Sequence, residues 1–214
     1  MAAGLATAMA QSNVYSLNVV GYYNVTVPQG KYYMIANQLN TTNNQIQYVM
    51  PTAQDFTGFF KYVGGGYQST TYYGADLGGS GWDQPTFTLN PGETGFIQDP
   101  GTPGGQTLTF VGEVLQGVLS NNIPTGATCF RSSIVPQQGT PKDFLVPAED
   151  FDTLYLYAGS GYQSTTYYGT DLGGNGWDYD PSGNGPTIAV GEGFAYLKAA
   201  GNTMNAWVRN FTVQ

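Results

Sequence analysis

Two glycine-rich loops hold most of the side chains in this chain that could bind a ligand. Gly78-Gly79-Ser80-Gly81-Trp82-Asp83 recurs as Gly173-Gly174-Asn175-Gly176-Trp177-Asp178, and both fit GGxGxD, the pattern of calcium-binding nonapeptide turns. The chemistry suits a hard cation. Glycines let backbone carbonyls converge, while Asp76 and Asp83 in the first loop, and Asp171, Asp178 and Asp180 in the second, supply anionic oxygens. That pattern normally works in adjacent turns sharing each ion, whereas these copies lie 95 residues apart. The competing reading is a turn whose aspartates accept hydrogen bonds from backbone N–H groups.

Trp82 and Trp177 sit in the same loops beside tyrosine-rich strands. Exposed, such rings would stack on sugar faces; buried, they would close the ends of a core or anchor subunit contacts. Glu93 and Glu192 occupy matched turns. A retaining glycosidase needs two carboxylates about 5 Å apart, and matched positions in separate units point to turn or packing roles instead. Histidine is absent, which removes the commonest general base, the usual activator of Ser and Cys, and the commonest metal ligand. The single cysteine, Cys129, excludes an intrachain disulfide and a thiolate metal cluster. It reads as a small buried apolar side chain, with an intermolecular disulfide as the alternative. No enzymatic activity is expected of this set.

The elements that carry these loops come from an internal repeat. Residues 66–83, GYQSTTYYGADLGGSGWD, return as residues 161–178, GYQSTTYYGTDLGGNGWD. The match extends upstream, Asp55-Phe56 onto Asp150-Phe151 and Phe60-Lys61-Tyr62 onto Tyr155-Leu156-Tyr157, and Val27-Pro28-Gln29-Gly30 answers to Ile123-Pro124-Thr125-Gly126. Downstream, identity aligns Gly92-Glu93-Thr94-Gly95-Phe96 with Gly191-Glu192-Gly193-Phe194, one residue shorter. Alternation such as Tyr67, Ser69, Thr71 and Tyr73 against Gln68, Thr70 and Tyr72 is that of half-buried strands. Phe59 to Val63 turns through Gly64-Gly65-Gly66 into Tyr67 to Tyr73, and Leu154 to Ala158 turns through Gly159-Ser160-Gly161 into Tyr162 to Tyr168. With no convincing amphipathic helix, the expectation is an all-β chain of two tandem β-sandwich or barrel-like units, residues 21–105 and 106–214, behind an extended N-terminal arm, residues 1–20.

A boundary strand appears three times, as LNVVGYY (residues 17–23), LTFVGEV (108–114) and NAWVRNF (205–211). Two units thus carry three versions of their boundary strand, one more than a closed pair of domains needs, so residues 1–20 are read as an arm that exchanges into the sheet edge of a second molecule. The competing reading pairs all three within the chain. Residues 1–10 are small and apolar and end in Ala8-Met9-Ala10, like the tail of a secretory signal, although no positively charged leader precedes them. Lys61 in the first hairpin sits where Leu156 sits in the second, so a strand face that can meet water in one unit is apolar in the other and is expected to need a cover, either the other unit or another subunit.

Composition narrows the partners. Charged residues make up 9% of the 214 residues, against roughly 25% in an average soluble domain, so the surface consists of Asn, Gln, Ser, Thr, Gly and Tyr and resists self-association weakly. The net charge of −8 repels a phosphate backbone and excludes nucleic acid as the main partner. No stretch reaches the roughly 20 apolar residues that span a bilayer, so membrane insertion is not expected.

The succession VVGYYNVTVPQGKYYMIANQL (residues 19–39), PGETGF (91–96), LTFVGEVLQG (108–117) and NAWVRNF (205–211) resembles a family of secreted bacterial surface proteins with the same two-unit layout. The resemblance covers nearly the whole chain and implies export and an all-β fold more than an activity. The second unit departs from it, with RSSIVP (residues 131–136) where the first reads MIANQL (34–39). The Gly/Tyr/Asn-rich, low-charge composition also resembles that of subunits of extracellular filaments and tubes, assemblies often secured by exchanged strands and bound calcium. The expectation is therefore an extracellular structural protein that self-assembles into a filament, tube or surface layer, with a carbohydrate-binding or adhesive module recognising surface polysaccharide as the alternative.

Overall fold

A computed structural model describes residues 19–213. Strand β1 (Val20–Val27) pairs antiparallel with β7 (Gln106–Glu113) to form a two-stranded ribbon. Between them in sequence lie β2 (Tyr32–Ala36), β3 (Gly58–Val63), β4 (Gly66–Tyr73), β5 (Gly81–Trp82) and β6 (Thr94–Gln98), which assemble as a sheet in the order β2-β6-β3-β4-β5. Alternation decides what each strand buries. Tyr23, Val25 and Val27 of β1 and Leu108 and Phe110 of β7 point onto Ile35, Phe59 and Ile97 of the sheet, and Tyr23 stacks on Phe110 with ring centroids 4.7 Å apart. Ribbon on sheet makes the first β-sandwich.

The second unit repeats the plan. Strand β8 (Gly117–Ser120) pairs with β14 (Val208–Phe211), and β9 (Thr128–Arg131), β10 (Thr153–Tyr157), β11 (Tyr162–Tyr168), β12 (Gly176–Trp177) and β13 (Phe194–Leu197) form a sheet in the order β12-β11-β10-β13-β9. Cys129, Leu154, Phe194, Tyr196 and Trp207 fill its core. The all-β expectation and both hairpins stand; among the described residues helix is confined to one four-residue turn, Ile46–Val49, and two short 3-10 turns.

Three expectations change. The boundary strand occurs four times, because Gly117–Ser120 serves as the fourth, and the described part of the first copy pairs within its own chain, Val20 opposite Glu113 and Tyr22 opposite Val111. Residues 1–18, which hold most of the expected arm, lie outside the described residues. Strand β7 closes on β1, so the pairing moves the change of unit from 105/106 to the link between Glu113 and Gly117. The third change is one of register. Phe60 lies opposite Phe96, while its counterpart Tyr155 lies opposite Ala195. Phe96 therefore corresponds to Ala195, not to Phe194, and the gap that identity suggested is absent. A one-residue slip turns a side chain to the other face: Phe194 is in the second core, and Phe96 faces the other unit.

The two units meet about an approximate two-fold axis. The Ala36 amide donates to the Gly191 carbonyl at 2.9 Å, and its counterpart Ser132 donates to Gly92 at 3.0 Å. The bridges Ile35 to Glu192 and Arg131 to Glu93 repeat the relation. Met34, Phe96 and Phe60 from one sheet and Phe130, Ala195 and Tyr155 from the other form a third apolar cluster between them.

Candidate functional site

The glycine loops are built around backbone needs. Gly78 ends a 3-10 turn in the left-handed region with φ 73°, and Gly81 has φ 115°; Gly173 and Gly176 repeat this with 75° and 132°. Gly79 and Gly174 are required for a different reason, since a Cβ on either would collide with the carbonyl of Tyr73 or Tyr168. Asp83 Oδ1 accepts from the Thr70 hydroxyl at 2.7 Å and the Thr71 amide at 2.9 Å, and Asp178 Oδ1 accepts from Thr165 at 2.9 Å and Thr166 at 2.7 Å. Both aspartates thus tie the loop back to the long hairpin strand. Asp76 and Asp171 lie in the first turn of the 3-10 segments. Asp55 and Asp150, which the loop pattern did not single out, accept from the amides of Gly74 and Gly169. Asp180 takes the amide and hydroxyl of Ser182, and these bonds hold its carboxyl below the usual range. Among the described residues, no three His, Cys, Asp or Glu side chains form a group that could hold a metal. Of the aspartates expected as calcium ligands, Asp83, Asp178 and Asp180 accept hydrogen bonds from their own chain.

The tryptophans face inward, which corrects the sugar-stacking expectation for them. Trp82 is 3% exposed and Trp177 2%. Trp82 Nε1 donates to the Met50 carbonyl at 2.7 Å, and Trp177 packs edge-on against Tyr167 and Tyr196. Trp207, buried likewise, donates to Phe144. Burial of the ring body with its N–H satisfied is what a core plug requires. Cys129 is a buried free thiol, pushed up to about 11 by burial.

Glu93 and Glu192 hold turns: the Asn90 amide donates to Glu93 Oε2 at 2.7 Å, and the Ala189 amide to Glu192 Oε2 at 2.9 Å. Lys61 adds an ion pair to Glu93 at 2.7 Å. In the second unit Leu156 stands at that place and packs on its own unit's core, so the face expected to need an outside cover is covered from within. Burial pushes the Glu192 carboxyl upward.

The strand face that does meet the other unit is aromatic. Tyr62, Tyr67 and Phe96 of the first unit interleave with Phe130, Tyr157 and Tyr162 of the second; Phe96 lies 6.0 Å from Phe130 and 5.1 Å from Tyr157, and Tyr62 lies 5.4 Å from Phe130, all edge to face. Tyr67 and Tyr162 are the same residue of the two repeats; burial raises both phenols, Tyr162 up to about 12. Where the two-fold relation fails, a cleft of about 330 Å3 opens, lined by Tyr32, Phe60, Tyr67, Phe96 and Tyr157. A neighbouring hollow of about 450 Å3 shares Tyr32 and Tyr157 and runs past Lys31 to Gly159 and Ser160 of the second hairpin tip. Sequence reasoning missed this cleft because its lining comes from both units.

The ribbons form the other distinctive surface. Val20 and Tyr22 of β1, Val111 of β7, and Val118 and Val208 of the second ribbon are 72, 74, 51, 76 and 45% exposed. Val20, Tyr22, Val111 and Val118 lie at the ribbon ends next to the short link, Val208 lies opposite Ser120 at the other end of the second ribbon, and Asn24, Thr26, Thr107 and Thr109 occupy the far end of β1 and β7. Each ribbon is two-stranded among the described residues, leaving strand edges without a sheet neighbour.

Comparison with protein-family models, with curated proteins and with solved structures returns no match.

Proposed function

We propose that the protein is a non-catalytic, extracellular structural subunit that associates with copies of itself into a filament, tube or surface layer. The observation that carries this reading is the ribbon junction, where Val20, Tyr22, Val111 and Val118 point outward beside strand edges that have no sheet neighbour among the described residues, on a molecule with few charges to oppose contact. An exposed, apolar strand edge is a template for another chain. Export rests on the resemblance of the chain to secreted surface proteins. The test is cryo-electron microscopy and analytical sedimentation of the wild type beside Tyr22→Lys and Val118→Lys, one change on each ribbon. Polymers from the wild type, and monomers with unaltered near-UV circular dichroism from the variants, are expected. A wild type that stays monomeric up to millimolar concentration overturns the reading.

The second reading, binding of a neutral surface polysaccharide, is favoured by the tyrosine cleft rather than by the tryptophans. Its rings offer flat apolar faces and phenolic hydroxyls, its lining holds no charged side chain, and the neighbouring hollow gives it length for a linear chain. Tyr32→Ala should abolish retardation in affinity electrophoresis through polysaccharide gels, and a wild type that is never retarded dismisses it.

A further inference from the structure

Asp152 immediately precedes β10 and Lys198 immediately follows β13. Thr153 lies opposite Leu197, so one further step of the same register sets Asp152 opposite Lys198. Both side chains are buried, and Lys198 Nζ lies 2.7 Å from Asp152 Oδ2. The carboxyl carbon is one bond beyond that oxygen. The other two ammonium hydrogens go to Glu149 Oε2 at 3.0 Å and to the Pro147 carbonyl at 2.9 Å, which fixes the nitrogen in place. Asp152 Oδ1 accepts from the Ala199 amide at 2.8 Å and from the Asn202 side-chain amide at 2.9 Å, while the hydroxyl of the buried Tyr196 donates to Oδ2 at 2.9 Å. An ion pair needs one carboxylate, and Lys198 has two. A held amine, a carboxyl carbon beside it, two N–H donors on one carboxyl oxygen and a second carboxylate within reach of the amine are the parts of an acyl-transfer centre.

We propose that Lys198 and Asp152 are a self-modification site at which the two side chains condense into an amide, an isopeptide cross-link between the start of β10 and the end of β13, with Glu149 carrying the proton. The ion pair is the state of the chain before condensation. The proton shared between Nζ and Oδ2 moves to Oδ2, a transfer that burial favours because it removes two charges from an enclosed site. It also frees the nitrogen lone pair toward the carboxyl carbon. Nζ attacks that carbon, and the charge that develops on Oδ1 is met by the Ala199 and Asn202 donors. Glu149 Oε2 takes a second proton from the nitrogen and hands it to Oδ2, the carbon–Oδ2 bond breaks, and Oδ2 leaves as water past the partly exposed Glu149. Two of the three ammonium hydrogens depart with that oxygen, the third stays on the amide, and the two charges cancel, so the step needs no oxidant and no co-reactant. The first unit places Thr57 and Asp99 at the matched positions, which hold no amine. The cross-link lies within one chain and stands independently of self-association.

The experiment keeps the purified chain folded until its mass is constant, denatures it, and reads intact mass and the peptides released by proteolysis, with both chain ends located by peptide mapping. The wild type is expected to weigh one water less than its sequence and to yield one branched peptide that joins Lys198 to Asp152. Lys198→Arg and Glu149→Gln, each checked for native near-UV circular dichroism, should keep the full mass of their sequences. The wild type decides alone if either variant fails to fold. A folded wild type of full sequence mass, a lost water that maps to another residue such as a cyclic imide at a different aspartate, or a native Glu149→Gln that loses water as the wild type does overturns the proposal.

Discussion

Lys198 stands in the second unit where Asp99 stands in the first, each one residue beyond the matched sheet strands β13 and β6. Both are buried and each centre is answered locally. Asp99 accepts from the amides of Gly30, Gly101 and Thr102 and from Gln106, which in turn meets Thr57. Lys198 donates to Asp152, the counterpart of Thr57, at 2.7 Å, and pairs with Glu149 at 3.0 Å. One location in the fold thus carries opposite charge in its two copies, because a buried charge is tolerated only where its partners are supplied with it.

Lys198→Met should be among the costliest single changes in the chain. It leaves the enclosed Asp152 carboxylate without its ammonium, and removing one partner of a buried pair costs about 3–5 kcal/mol. Lys61→Met, at the more accessible pair with Glu93, should cost about 1 kcal/mol or less. Urea unfolding of both variants measures the contrast, and equal losses would remove the buried pair from the account.

Stability should respond to pH with two opposite signs. Burial raises the Asp99 and Asp152 carboxyls, but hydrogen bonds outweigh it and hold both below the usual range; for Asp152 these come from Lys198, Asn202 and the amides of Glu149 and Ala199. Their contribution is present above the unfolded value of about 4 and is lost as pH falls through the lowered folded values. Glu192, pushed upward by burial, contributes below the unfolded value of about 4 and loses that contribution as pH rises through its folded value. Thermal melts from pH 2 to 7 should therefore fall steeply on the acid side, with a shallow decline on the upper side that Glu192→Gln removes.

Asp83→Asn and Asp178→Asn should each destabilise by about 1.5–3 kcal/mol, the scale of a hydrogen bond to a charged acceptor. The loss should be the same in calcium and in chelator, since Asp83 is occupied by Thr70 and Thr71 and Asp178 by Thr165 and Thr166. Melting temperatures in the two buffers are the measurement, and a loss confined to calcium would assign these carboxylates to an ion.

Phe96→Ala should loosen the contact between the units. The ring is 8% exposed and touches Phe130, Tyr157, Tyr67 and Tyr162, and truncating a buried Phe costs about 3–5 kcal/mol. Hydrogen exchange should quicken at the Ser132 and Ala36 amides, which bond across the contact, while amides in the two separate cores keep their protection.

The hairpins could be read residue by residue because period-two alternation and glycine turns are local signals. The fourth boundary strand, Gly117–Ser120, could not: four residues with one buried side chain, Leu119, carry too little pattern. Phe96 was matched to Phe194 because identity rewards a shared ring, whereas pairing obeys the pleat. The direction of Trp82 and Trp177 depends on what covers a two-residue strand, and that cover comes from distant segments such as Met50. The cleft was the least legible feature, being made of residues from both units that no single stretch of sequence brings together.

A contact in which the Ala36 and Ser132 bonds are copies of each other is the contact of a homodimer. The chain has the form of an ancestral single-repeat protein, paired with itself and then fused by gene duplication. Identical protomers must place the same side chain on both sides of their axis. Fusion lifted that constraint, and the axis now sets Phe96 of one copy against Ala195 of the other, and Met34 against Phe130. The cleft beside Phe96 lies where the two copies differ: Phe96 and Tyr32 of its lining correspond to Ala195 and Thr128 in the other copy.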